Sequence, residues 1–99
     1  MGSMPIYAVQ YRYDPSRDAD RDIHRQEHRA YLQSLADAGT ILVRGPYADS
    51  DAPGALLIVQ AGSPDEVADA LDGDPFNRER LIIERTVREW APVGDHPWG

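Results

Sequence analysis

The chain of 99 residues has no cysteine, which excludes disulfide and thiolate chemistry from the start. It also has no lysine, because all ten of its basic residues are arginine. Schiff-base catalysis through a lysine amine and the P-loop lysine are therefore both excluded. Positive charge is scarce: 10 basic against 17 acidic residues leave a net charge of −7. That balance opposes the phosphate backbone, whose binding rests on Lys and Arg, so nucleic acid is not an expected partner. No apolar run approaches the roughly 18 residues of a membrane span, and no membrane partner is expected. The first residues lack the charged and apolar regions of a signal peptide. Residues 1–3, ahead of Met4, read as an expression scar. With no export signal and no cysteine, a cytoplasmic location is the expectation.

What remains is 41% hydrophobic and 27% charged, the composition of an ordinary soluble globular protein of one domain, here placed at residues 4–91 with a flexible tail at 92–99. Pro5 to Tyr13 runs aromatic and aliphatic and predicts a first strand, stopped by Asp14-Pro15-Ser16. The acidic Asp18, Asp20 and Asp22 suit the positive end of a helix that continues to Ala38, with Gly39 as its stop. Along it His28, Leu32, Leu35 and Gly39 form one stripe, so His28 heads the apolar face. Thr40 to Arg44 predicts a second strand ended by Gly45-Pro46, and Ala55 to Gln60 a third strand buried on both faces. Ser63-Pro64-Asp65-Glu66 supplies an N-cap, a first-turn proline and a glutamate at N3 for a second helix. After a short irregular or helical turn at Asp74-Pro75-Phe76, Leu81 to Trp90 predicts a fourth strand.

The order β-α-β-β-α-β is that of the α+β, ferredoxin-like split βαβ unit, with a four-stranded antiparallel sheet and both helices on one face. The other face would stay open, which predicts a homodimer packed through the sheets.

Few residues carry chemistry. His24-Arg25-Gln26-Glu27-His28 matches H-x-x-E-H, the inverzincin zinc pattern. Such a site needs a distant third ligand and a protease cleft that so short a chain does not build, so His24 and Glu27 read as solvated helix-surface residues and no metal is expected. His28 is a candidate general base, its alternative being a core histidine bonded to a backbone carbonyl. Asp74 is either its partner or simply a turn starter and helix cap.

Arg25-x-x-His28, Leu32, Gly39, Gly45-Pro46, a glycine-bearing loop and Asp74-Pro75-Phe76 together resemble the YciI-like (YCII-related) proteins over nearly the whole span from Pro5 to Trp90. The resemblance implies a dimeric α+β barrel with a His and Asp paired in a pocket, here His28 and Asp74. Chemistry in the family includes loss of HCl from a chlorinated, hydroxylated aromatic, while most members have no assigned substrate; the leading expectation for this chain is a cofactor-free site for a small-molecule substrate. The acidic segment from Asp14 to Asp22 and the tail with Trp98 depart from the family pattern.

On this reading Asp74 fixes the imidazole and His28 moves the proton in a lyase or isomerase-like reaction. Arg25 binds a developing phenolate, enolate or carboxylate oxygen, or else forms a surface ion pair. Gly45 and Pro46 shape the backbone beside the pocket, and Phe76 forms an apolar wall or a core anchor. Tyr7, Tyr11 and Tyr13 share one strand face that lines a cavity for aromatic substrates or packs across a dimer. Two other classes stay open: a noncatalytic binding or assembly module, and a cofactor-free monooxygenase or haem-associated activity like that of similar barrels.

Overall fold

The computed structural model describes residues 4–95; the expected scar at 1–3 and the tail end with Trp98 lie outside the described residues. Strand β1 spans Ile6–Tyr13, and a 3₁₀ turn at Pro15–Arg17 leads into helix α1, Asp18–Asp37. Strands β2 (Ile41–Pro46) and β3 (Gly54–Gln60) follow, then helices α2 (Pro64–Leu71) and α3 (Pro75–Arg78), and finally strand β4 (Ile82–Trp90). The sheet has the order β2-β3-β1-β4, and every neighbouring pair is antiparallel. This is the α+β, ferredoxin-like arrangement read from the sequence, with α3 as a one-turn addition.

Period-two alternation in β1 turns Tyr7, Val9, Tyr11 and Tyr13 to the helix side, where Leu57 and Val59 of β3 join them. Leu32 of α1, Val67 and Leu71 of α2, Phe76 and Leu81 close this single core. Val9, Val59, Val67, Leu71 and Leu81 are all 0% exposed, and each such burial contributes about 1.5–3 kcal/mol.

The helix ends follow local chemistry. Gly39 has φ +84°, and the Gly39 and Thr40 amides donate to the Ala36 and Leu35 carbonyls, which is the Schellman closure of α1. Ser63 Oγ accepts from the Glu66 amide at 3.2 Å, while the Glu66 carboxylate accepts from the Gly62 amide at 2.7 Å. The capping box is thus real but reaches one residue earlier than its usual form.

Three details differ from the sequence expectation. Strand β2 continues through Gly45 and Pro46, which pair with Leu56 and Ala55. Proline is tolerated there because β2 is an edge strand and no outer neighbour needs its missing N–H. Strand β4 begins at Ile82, since the Leu81 amide is taken by the Phe76 carbonyl in closing α3. Strand β3 is covered on both faces only in part: Ile58 is 4% exposed, whereas Leu56 is 37% exposed on the open face. Among the described residues no second layer lies over that face, where Val43 and Trp90 are exposed as well. Among the described residues, no helix is long and apolar enough to cross a membrane.

Candidate functional site

A cavity of about 720 Å³ lies between α1 and the helix-side face of the sheet. Helix α1 contributes His28 and Leu32, β1 contributes Tyr11 and Tyr13, β3 contributes Leu57, and Phe76 comes from α3.

The connection from α2 to α3 brings Asp74 to His28. Tyr31 of α1 donates its hydroxyl to the Ala70 carbonyl at 2.6 Å, tying α1 to the end of α2. Gly73 lies directly under that phenol: a Cβ there would sit 2.6 Å from the Tyr31 oxygen, so only a bare backbone passes. Asp74 then caps α3, its Oδ1 accepting from the Phe76 amide at 2.9 Å. Arg17, just ahead of α1, holds the far end of α3 by donating to the Glu79 and Arg80 carbonyls.

The result is a contact between residues 46 positions apart: His28 Nδ1 is 2.7 Å from Asp74 Oδ1. A carboxylate oxygen accepts and an imidazole N–H donates, so in this contact Nδ1 is the natural donor and Nε2 the nitrogen left for proton transfer. Asp74 is 0% exposed and His28 9%. The Phe76 ring lies flat on the imidazole, with centroids 3.8 Å apart and planes 3° from parallel, and Tyr13 meets Phe76 edge-on at 5.6 Å. One Asp74 oxygen thus both caps α3 and meets the imidazole. Phe76 is likewise a wall of the cavity and a core anchor.

Asp74 Oδ2 and the Tyr11 hydroxyl are buried and find no hydrogen-bond partner among the described residues. Burial pushes the Tyr11 phenol above its ordinary pKa, and the Asp74 carboxylate adds to this, while Arg85 works the other way. Tyr13 is raised for the same two reasons, opposed by Arg21 and Arg25. Both phenols stay neutral at physiological pH and offer O–H donors rather than phenolates.

Arg25 lines the cavity while also pairing with Asp22 one turn earlier. Gly45 and Pro46 line it through β2. Of the three tyrosines on one face of β1, Tyr11 and Tyr13 reach the cavity, whereas Tyr7 packs elsewhere in the core. His24 faces Glu79 at 3.6 Å, so the two histidines of the H-x-x-E-H run engage different carboxylates.

Sequence reasoning missed Arg21, which is 4% exposed, donates to the Asp14 carbonyl at 2.7 Å and to the Asp18 carboxylate, and stands 5.0 Å over the Tyr13 ring. It also missed Arg29 and Arg44, both in the cavity wall. The signal for Arg21 was its place two helical turns before His28, on the same stripe.

A YCII-related domain model matches residues 6–91. No curated protein matches the chain. Among solved structures, the chain is similar to the 5-chloro-2-hydroxyhydroquinone dehydrochlorinase of Burkholderia phenoliruptrix in complex with 2,5-dihydroxybenzoquinone. That similarity has 28% identity and a TM-score of 0.76, covering 87% of this chain and 93% of that one. A protein described as an antibiotic biosynthesis monooxygenase from Chloroflexus aurantiacus aligns at 21% identity and a TM-score of 0.45, over 95% of this chain and 99% of that one. With the family model matching residues 6–91, nearly the whole described fold, the chain belongs to the YCII-related domain family.

Proposed function

We propose that this protein is a cofactor-free enzyme of the lyase or isomerase type, dehydrochlorinase-like in its chemistry, acting on an oxygenated ring-bearing small molecule. The observation that carries the reading is the buried 2.7 Å contact from His28 Nδ1 to Asp74 Oδ1 at the wall of the cavity. A carboxylate holding one imidazole nitrogen fixes the tautomer and the ring direction, and it stabilises the imidazolium formed when the other nitrogen takes a proton. The dehydrochlorinase likeness supports an elimination as the reaction class.

In such a step a substrate O–H or C–H proton passes to His28 Nε2. The electron pair left behind forms a new π bond, and the leaving group departs with its own bonding pair. An isomerisation differs only in the last event, with the proton returned to another atom of the conjugated system. Arg25 stabilises the oxygen on which negative charge develops. Phe76 keeps the imidazole in plane, and Tyr11 and Tyr13 form an uncharged wall for the ring.

A second copy of this chain over the open face of the sheet completes the reading, because Val43, Leu56 and Trp90 are apolar side chains exposed on that face. A noncatalytic binding module would have the same fold.

The test is turnover of chlorinated, hydroxylated hydroquinones, followed by chloride release, in the natural protein, His28→Ala and Asp74→Asn. A general base contributes about 10²–10⁴-fold, so both variants should lose activity on that scale while still folding. Unchanged rates in both would overturn the catalytic roles.

A further inference from the structure

The cavity wall carries charge of one sign. Arg21, Arg25, Arg29 and Arg44 line it, and no aspartate or glutamate does, in a chain whose net charge is −7. The four guanidinium groups differ in how far their charge is already used. Arg21 is paired with Asp18 and Arg25 with Asp22. Arg29 and Arg44 have no carboxylate partner among the described residues. Arg44 Nη2 rests 3.1 Å from the neutral Gln33 Oε1, and Arg29 is exposed.

The backbone explains why these two share the cavity. Arg29 follows Arg25 by one turn of α1, and Arg44 is paired in register with Leu57, itself in the cavity wall. Like charges gathered this way repel unless an anion comes between them, and an otherwise acidic surface turns anions away elsewhere. The same wall is apolar at Leu57 and Phe76.

From this one-signed wall we propose that the cavity takes a small organic anion. Its ring lies against Phe76 and Leu57, and a carboxylate remote from the reacting centre is held by Arg29 and Arg44. This deepens the reading of the site given above and rests on it for the reaction, although the binding stands on the arginines alone.

Titration calorimetry with 4-hydroxybenzoate, 4-hydroxybenzyl alcohol and inorganic phosphate tests it. At low ionic strength the carboxylate should bind about tenfold more tightly than the alcohol, the sum of two partly exposed charge contacts. Added salt should shrink that advantage. The R29Q/R44Q double variant should abolish it while leaving the alcohol's affinity unchanged, and His28→Ala should preserve it. Equal affinity for acid and alcohol, a preference that survives the double variant, or a preference lost in His28→Ala would overturn the assignment. So would phosphate binding as tightly as the ring carboxylate, or the absence of binding by all three. Because the readout is binding, full turnover in His28→Ala would sink the catalytic reading and leave this one standing.

Discussion

The imidazole of His28 and the ring of Phe76 are stacked face to face at 3.8 Å, and the backbone amide of Phe76 donates to the same Asp74 oxygen that meets the imidazole. One residue of α3 thus holds both members of the pair, one through its ring and the other through its N–H. Phe76→Ala should cost about 3–5 kcal/mol in chemical denaturation, the usual loss for a buried aromatic ring. Phe76→Leu should retain most of the stability yet lower kcat, because a branched aliphatic group does not hold a flat ring in plane. A Leu variant with full kcat would show that the stacking is packing alone.

Asp74 caps α3 and accepts from His28 with the same oxygen. Asp74→Ala should destabilise by about 1–3 kcal/mol, since a cap is lost and the imidazole N–H is left buried and unpartnered. In a double-mutant cycle, Asp74→Ala and His28→Ala should be non-additive, the second change costing little once the first is made. Additive losses would mean that the two side chains do not interact in solution.

Tyr7, Tyr11 and Tyr13 all have phenol pKa values raised above 10.0, chiefly by burial. Their neutral forms are therefore favoured by folding. Stability is full below the unfolded value near 10.0 and falls as pH climbs past it, because the unfolded chain then releases protons that the native state retains. Alkaline titration should show these three tyrosines ionising together with the loss of circular dichroism. Complete tyrosinate absorbance from a still folded protein would contradict this.

Arg80 is the sole non-glycine residue with positive φ among the described residues, at 59°, where it closes α3. Its amide donates to Asn77 and the following Leu81 amide to Phe76, a Schellman closure without the customary glycine. A side chain in that conformation costs about 1–2 kcal/mol. Arg80→Gly should raise stability by about 0.5–1 kcal/mol after the greater freedom of the unfolded chain is deducted. A lower thermal midpoint would show that the Arg80 side chain makes a compensating contact.

Leu56 sits on the open face of the sheet, 37% exposed in one copy of the chain. If a second copy covers that face, Leu56→Glu should convert the dimer to a monomer in sedimentation velocity runs, with monomer stability shifted by no more than about 0.5 kcal/mol. A natural protein that sediments as a monomer at every concentration would remove the sheet-packed dimer.

The element order, both helix starts and the stop at Gly39 were legible because they depend on neighbours a few residues apart: alternation in β1, the box at Ser63 to Glu66, a glycine with φ +84°. Pro46 misled because proline looks like a terminator until one knows that β2 is an edge strand, a property of the whole sheet. Arg21 was hidden for a similar reason. An arginine in an acidic helix start reads as solvated, and only the fold lays it over the Tyr13 ring.

Locally, then, the amino-acid order determined which stretches became helix or strand and which side of each would be apolar, since periodicity, caps and turns act within a few residues. The family resemblance in that order marked His28 and Asp74 as partners. Only tertiary structure decided how they meet: which imidazole nitrogen faces the carboxylate, that Phe76 lies flat against the ring, and that two arginines without acidic partners among the described residues, from α1 and β2, share one cavity. Those relations join residues far apart in the chain, and their geometry is set by how the helices settle on the sheet, which local sequence pattern does not encode.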